Sequence, residues 1–454
     1  MTINSGVSLI SKIGSFASSN GAEIPAFDPG TKRLFVVAGD VIEILDLADP
    51  TNPFKIEDLA LNFDGIPLGF SPVPNSVAVG KAGTPSAGIV AVSLAIRDDF
   101  NNQEAGQVQF FDATTGAFLG KVLVGFLPDM VTFSPDGTKI LTANEGEPNE
   151  SYTVDPVGSV SIVDITGGFT NLVAQNATFD SFNAQKAELQ SAGVRLFGQI
   201  FDENGNFVRE STVAEDLEPE YIAFSGDGTK AWVTLQENNS VALIDIATAT
   251  VEAILPLGFK DHSLPGNGLD ASDRDGGINI RNWPIFGMYM PDSIASYTVG
   301  GQTYYITANE GDARNRPSDD DIFPSPFDGE GDIFSEEARI KDLILDPVAF
   351  PNAAELQADP AIGRLTVTTK LGDTDGDGDF DQLYAFGSRS FSIWDSNGNL
   401  VYDSGEDFER ITAAAIPDFF NASNSNNNFD NRSDDKGPEP EGVTVGTIDG
   451  RTYA

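Results

Sequence analysis

The chain has 454 residues, 40% of them apolar, enough to bury a large core, and its 69 acidic against 26 basic residues give a net charge of −43. That charge repels nucleic acid and anionic lipid, and it suits divalent cations. Cysteine is absent and His262 is the sole histidine, which excludes disulfides, thiol nucleophiles and Cys or multi-His metal sites. Any metal must be hard and oxygen-bound, calcium or magnesium.

Residues 1–20 lack the pattern of a secretory signal, and no run of eighteen apolar residues predicts a spanning helix. From there an internal repeat governs the chain. It starts at EIPAFDPGTKRLFVVAGDVIEILDLADP (23–50) with FKIEDLAL after it, and residues 75–124 supply a second copy. The clearest copy is LPDMVTFSPDGTKILTANEG (127–146) with GSVSIVDI (158–165). EPEYIAFSGDGTKAWVTLQENNSVALIDIATATVEAILPLG (218–258) and MPDSIASYTVGGQTYYITANEGDAR (290–314) follow. Each reads as strand, two-residue Asp-Gly or Gly-Gly turn, strand, loop, and a strand ending in Asp, the pattern of a four-stranded propeller blade.

Insertions interrupt the repeats. DSFNAQKAELQSAG (180–193) predicts a short helix from its Asp start and Gly stop. Residues 259–286 and 312–334 read as long loops, SEEARIKDL as a short helix, and 413–437 as a polar connector. A sixth blade can be drawn from QLYAFG, SFSIWDSNG and NLVYDSG. A seventh opens at PEPEGVTVGTIDGRTYA (438–454), whose second strand stops where its sister continues through Ile306, Thr307 and Ala308. The expectation is therefore an all-β, seven-bladed β-propeller in one domain, 1–454, truncated in its last blade and part of a longer polypeptide. The blades fall at 20–62, 63–126, 127–217, 218–289, 290–370, 371–437 and 438–454, with short helices in the inserted loops.

Three constellations could carry chemistry. Glu23, Asp129, Glu220, Asp292 and Glu441 occupy matching starts of first strands. If the blades close they converge on a channel metal or cationic-ligand site; otherwise each caps a turn or pairs with a neighbouring base. Glu145, Glu237 and Glu310 recur after second strands, with Arg314 and Arg316 just beyond, able to bind an anion or to pair with nearby acids. The loop KDHSLPGNGLDASDRDGG (260–277) gathers Lys260, Asp261, His262, Asn267, Asp270, Asp273 and Asp275. One histidine among carboxylates can act as general acid or base or as a metal ligand, or serve as an ordinary hydrogen-bonding residue. No G-x-S-x-G elbow, Walker loop or dinucleotide fingerprint is present.

The stretch LGDTDGDGDFDQ (371–382) fits D-x-D-x-D-G-x-x-D through Asp373, Asp375, Asp377, Gly378 and Asp381, with a further acid at Asp379. Short acidic side chains on alternate residues can fold back onto a calcium ion held in a tight loop. Tyr384 stands where an EF-hand has its bidentate Glu, and LTVTTK and QLYAFG flank the loop as strands. The alternatives are a calcium loop between strands, as in integrin-like blades, and a solvated acidic turn.

Several of these motifs are long enough to be specific: ANEGEPN, GSVSIVDI, EPEYIA, KDHSLPGNGLDASDRDGG, NWPIFGMYMPDSIASY, ANEGDAR, DTDGDGDFD and SDDKGPEPEGV. Together they resemble the choice-of-anchor I family of bacterial surface proteins across nearly the whole chain, with blades similar to YVTN-type repeats. The resemblance implies a secreted or surface-attached propeller, cyanobacterial in type, joined to other domains of the same polypeptide. It also implies cell-surface or phosphate-containing ligands, since some similar proteins carry phosphatase, nucleotidase or phytase-like domains. Two readings follow: a calcium-binding extracellular scaffold without direct membrane insertion, and a calcium-dependent phosphoesterase. The second would use the acidic channel mouth with His262, Asp261, Asp270, Asp273, Glu145, Glu310 and Arg314 as candidate catalytic groups.

Overall fold

The computed structural model describes residues 11–202, 204–316, 334–423 and 425–454. It is built mainly of four-stranded antiparallel meanders, five of them among the described residues. The first runs through Pro25–Asp28, Arg33–Ala38, Val41–Asp46 and Phe54–Asp58, and the second through Ser71–Val79, Ile89–Arg97, Gln103–Asp112 and Phe118–Phe126. The third comprises Pro128–Phe133, Lys139–Asn144, Ser159–Asp164 and Ala174–Thr178; the fourth comprises Pro219–Phe224, Lys230–Leu235, Ser240–Asp245 and Thr250–Pro256.

Two compact units divide the chain, and the third meander contributes residues to both. One comprises 1–98, 104–142 and 162–175, with Phe35, Ile42, Val92 and Phe111 in one apolar cluster and Phe110, Val131, Ile140 and Val163 in another. The other comprises 99–103, 143–161 and 176–454. In it Trp232 stacks on Tyr305 with ring centroids 4.1 Å apart, beside Val241, Ile294 and Trp394.

The turns explain why these segments pair. After Phe133 the Asp136 carboxylate accepts from the Ser134 hydroxyl (2.7 Å) and from the Thr138 amide (3.0 Å), with Gly137 at φ +69°. Asp227 does the same with Ser225 and Thr229, and these hydrogen bonds hold its carboxyl down at about 2. Both loops hold four residues, because Ser134 pairs with Lys139 and Ser225 with Lys230. The expected two-residue Asp-Gly turns are therefore corrected here: the side-chain clasp needs Ser and Thr on either side. Gly300-Gly301 is a genuine two-residue turn, with Val299 opposite Gln302 and φ of +61° and +84°, which only glycine adopts readily in succession. Third strands end on Asp112, Asp164 and Asp245, whose carboxylates accept from Thr115, Thr166 and Thr248.

The fifth meander departs from the expected blade order. Ile294–Val299 and Gln302–Asn309 are followed in the sheet by Ser390–Asp395 and Leu400–Asp403. Strands assigned from sequence to a sixth blade thus complete the fifth. The cause is a buried clasp: the Asn309 amide donates to Ser390 (3.2 Å) and Ser392 (2.8 Å), as Asn144 does to Ser159 (3.1 Å) and Ser161 (2.8 Å) in the third meander. The Trp394 indole also donates to Thr307 (2.9 Å).

A further sheet combines two strands that precede the fifth meander with three inserted between Asn309 and Ser390, in the order Phe259–Asp261, Phe286–Met288, Tyr384–Ala385, Thr366–Thr368, Glu337–Arg339, with Phe286 and Tyr384 paired in parallel. Its core holds Leu269, Ile285, Ile340, Leu365, Val367 and Leu383. The expected SEEARIKDL helix is here the strand Glu337–Arg339 and a single 3-10 turn, Ile340–Asp342, because Ile340 is drawn into that core. The 180–193 helix forms as a 3-10 turn, Asp180–Gln185, running into Lys186–Ala192 and stopped by Gly193 at φ +106°. Within 413–437 the helix Asp407–Ala415 ends and the turn Pro417–Phe419 follows. The chain closes on a hairpin, Gly446–Ile448 with Arg451–Tyr453. Most of the expected 312–334 loop lies outside the described residues.

Candidate functional site

The acidic loop joins Thr366–Thr368 to Tyr384–Ala385, which pair antiparallel at Val367 and Ala385. Its carboxylates shape the loop themselves. Asp373 accepts from the Gly376 amide (2.7 Å) and the Gly378 amide (3.1 Å), and Asp381 accepts from the Thr374 amide (2.8 Å) and hydroxyl (2.6 Å). The five acids fall into two sets. Asp373, Asp375 and Asp377 each place one oxygen within 4.8 Å of the others, and Asp379 and Asp381 do so with Asp346. Asp346 carries no sequence signal of this role; it arrives because the Asp346 amide donates to the Phe380 carbonyl and Leu345 bridges Phe380. The crowding is visible in protonation: the Asp377 charge, above all, raises the Asp375 carboxyl, and desolvation followed by Asp377 and Asp346 raises Asp379. Asp381 goes the other way, lowered by Thr374. Adjacent carboxylates with hard oxygens and a preformed loop match the donor chemistry of calcium.

The carboxylates that recur at first-strand starts are arranged differently. In the first unit Glu23 is exposed, and the Asp129 carbonyl accepts from Ser93 (3.4 Å). In the second, Glu220 is buried, the Asp292 carbonyl accepts from Thr234 (2.8 Å), and the Glu441 carbonyl accepts from Ser293 (2.7 Å). Glu220, Asp292 and Glu441 do not form a three-acid group of the kind found at the acidic loop.

The acids after second strands lead into a buried ionic network. Arg314 bonds Asp216 and Glu218, at 2.6 Å for the latter, and its own amide donates to Glu336 (2.9 Å). Arg195 pairs with the other oxygen of Glu336, and the Phe197 ring lies 4.8 Å from the Arg195 guanidinium and 5.4 Å from that of Arg314. Burial alone would lower Arg314, but Glu218 and Asp216 outweigh it and hold the guanidinium protonated. Arg314 is thus committed to internal acids. The side chain of Arg316 lies outside the described residues. Glu310 accepts from Gln236 (3.1 Å), and Glu145 is half-buried. Glu237 is buried, has no donor to its Oε2, and is pushed up to about 7 by burial.

Burial likewise pushes Asp155 up to about 8. Raised carboxyl groups bind protons in the folded state that the unfolded state has already released. Their stabilisation is complete below the ordinary carboxylate range, near pH 4, and is lost as pH rises through 7 and 8. The urea midpoint should therefore fall between pH 5.5 and pH 8, and Glu237→Gln should flatten that fall.

The histidine loop is folded into the five-stranded sheet. His262 is buried, its Nδ1 donates to the Asn267 carbonyl (2.6 Å), and burial, then Lys260, pushes its pKa well below the ordinary histidine value. A carbonyl can only accept, so the proton sits on Nδ1 and the ring is neutral. Lys260 bonds the Ser388 carbonyl (2.9 Å) and Asp403 (3.1 Å). Asp261 caps its own turn through Ser263, Asp270 accepts from the Asn279 amide (2.6 Å), and Asp273 pairs with Arg364 (2.7 Å). Arg389, which no motif singled out, ties the region together. It bonds Glu409 (2.6 Å) and the carbonyls of Asp270, Ser433 and Asp435.

Comparison with known proteins bears on the whole chain. Over 305 residues it is 28% identical to a mesenchyme-specific cell surface glycoprotein of Strongylocentrotus purpuratus, covering 62% of this chain and 38% of that protein. Over 96 residues it is 38% identical to Gigasin-3a of Magallana gigas, covering 20% of this chain and 34% of that protein. The aligned regions thus span little more than a third of either relative's length. A functionally unknown protein from Desulfotomaculum acetoxidans overlaps 87% of this chain and 90% of its own, at 12% identity and a TM-score of 0.36, too low to carry an argument. The choice-of-anchor I domain model matches residues 23–454, and the chain belongs to that family.

Proposed function

We propose that the chain is a calcium-binding β-propeller module of a larger secreted or cell-surface protein, serving to bind or scaffold rather than to catalyse. The observation that carries this reading is the loop at 373–381. Two sets of three carboxylates, one completed by Asp346, stand close enough for each to share a hard cation. Asp373, Asp375 and Asp377 would hold one ion and Asp346, Asp379 and Asp381 another; the cation would neutralise the crowded charges and fix the loop between its strands. The five meanders and the C-terminal hairpin support a propeller; they make six repeats where the sequence suggested seven, because the strands expected in the sixth blade complete the fifth. Counting blades in an image of the full-length polypeptide tests that number. Family membership and the name of the sea-urchin relative support a surface setting.

The phosphoesterase reading has no comparable support. Arg314 is occupied by Asp216 and Glu218, and His262 is buried with its Nδ1–H donated to the Asn267 carbonyl. The discriminating experiment is turnover of a phosphomonoester by the full-length protein with calcium and after chelation. The expected result is no sustained hydrolysis in either buffer. Calcium-dependent hydrolysis that disappears in Asp129→Asn/Glu220→Gln/Asp292→Asn would replace this reading with the enzymatic one.

A further inference from the structure

The segment 430–437 is clamped to the loop that carries Asp270 by arginines from other parts of the chain. Arg389 donates to the Asp270 carbonyl (2.6 Å) with one nitrogen and to the Ser433 (2.8 Å) and Asp435 (2.7 Å) carbonyls with another. Arg364 bridges Asp273 and Asp434 at 2.7 Å each, and Arg339 also reaches Asp434 (3.2 Å). A single guanidinium, that of Arg389, thus brings the Asp270 backbone and the turn at Ser433 together.

Two buried carboxyl groups inside this clamp have no such partner. Among the described residues neither Asp270 nor Asp430 pairs with a lysine or arginine. Asp430 accepts from the Ser433 hydroxyl (2.5 Å), and Asp270 accepts from the amides of Asn279 (2.6 Å) and Ser272 (3.4 Å). These neutral donors orient the carboxyls but do not cancel a buried charge.

The bases nearby are committed elsewhere. Arg389 holds Glu409 of the helix Asp407–Ala415 (2.6 Å), Arg274 pairs with Asp273 (3.2 Å), Arg432 with Asp435 (2.7 Å), and Lys436 with Asp312 (3.1 Å). The other groups facing the pair are acids: Asp273 and Asp275 on the loop, Glu409 on the helix, and Asp434 on the segment itself. Like charges buried side by side hold protons. Burial, reinforced by Asp270 and Asp275, pushes Asp430 up to about 7, and burial followed by Asp275 pushes Asp270 up to about 6.

We propose that Asp270 and Asp430 form a proton-operated latch: with protons on them the segment 430–437 is docked on the loop, and when both ionise their repulsion frees it. The docked state binds protons that the free segment, with ordinary carboxyl groups, has already released. The docking stabilisation is therefore complete below about pH 4 and is lost as pH rises through 6 and 7. Above that range the arginine clamp must hold two unpaired buried charges.

Hydrogen exchange read by segment, at fixed calcium, tests this. The reporters are the amides of Asp430 and Arg432, which donate to the Phe420 (2.8 Å) and Asn421 (2.9 Å) carbonyls. Their exchange, corrected for its intrinsic pH dependence, should speed up about tenfold or more between pH 5.5 and pH 8. It should also be faster than that of the strand Lys230–Leu235, which opens only with the whole fold. Asp430→Asn keeps an acceptor for Ser433 and carries no charge, so its rate at pH 8 should match its rate at pH 5.5. Ser433→Ala removes the hydrogen bond that lowers Asp430, so the midpoint should move to higher pH, a shift that a merely structural role would not produce. Glu237→Gln should leave the response in place, because Glu237 lies in the separate Arg314 network. Exchange that is flat across this range would overturn the proposal. So would a rise that persists in Asp430→Asn, or reporters no faster than the strand, which would mean that only the whole fold opens.

Discussion

Replacing Arg314 with methionine is expected to cost about 3–5 kcal/mol of stability, read as a large drop in the urea midpoint. The guanidinium bonds both Asp216 and Glu218, and all three side chains are almost fully removed from solvent. Methionine fills much of the space but leaves two carboxylates buried without their cation. The unpaired charges, more than the lost contacts, set the size of the effect. Adding Glu218→Gln should recover part of it, because a neutral amide is far less costly to bury than a carboxylate. Asp216 has a second task that the double variant leaves in place: it accepts from the Gly198 amide (2.9 Å), which ties the 195–198 segment to the short helix Val213–Asp216. A loss below about 1 kcal/mol, the scale of solvent-exposed pairs, would mean that water reaches this network.

What could be read from sequence was local. Alternating β-branched residues, Asp-Gly turns and an Asp at the end of each third strand mark the meanders, because the clasp around Asp136 or Asp227 is made within five residues. What could not be read was register across insertions. Asn309 reaches Ser390 and Ser392 some eighty residues later, so the strands after QLYAFG belong to the fifth meander. A signal did exist: SVSIVD and SFSIWD share the Ser-x-Ser-Ile-x-Asp pattern, and each follows an Ala-Asn-Glu-Gly. The candidate site divides in the same way. Five of the six loop carboxylates sit in one short motif, whereas Asp346 comes from a turn 27 residues before Asp373 and meets them only through Phe380. Arg195 and Arg389 carried no signal either. Each earns its partners through folding: Arg195 meets Glu336 and Arg389 meets Glu409 and three carbonyls, across long stretches of chain.

Calcium should stabilise the protein by binding the folded loop, by about 2.7 kcal/mol at a concentration a hundred times the dissociation constant. The gain arises because in the unfolded chain Asp346 and the 373–381 acids no longer stand within reach of one another. Chelation should lower the melting temperature of the parent chain and leave a chain without these ligands unmoved. Calorimetric titration of calcium into the parent chain, Asp373→Ala/Asp377→Ala, Asp346→Asn and the variant combining all three tests this most directly. The expected result is binding in the parent, reduced in each partial variant and absent in the combined one. No binding in the parent, or binding undiminished in the combined variant, would contradict the assignment of this loop as the calcium site.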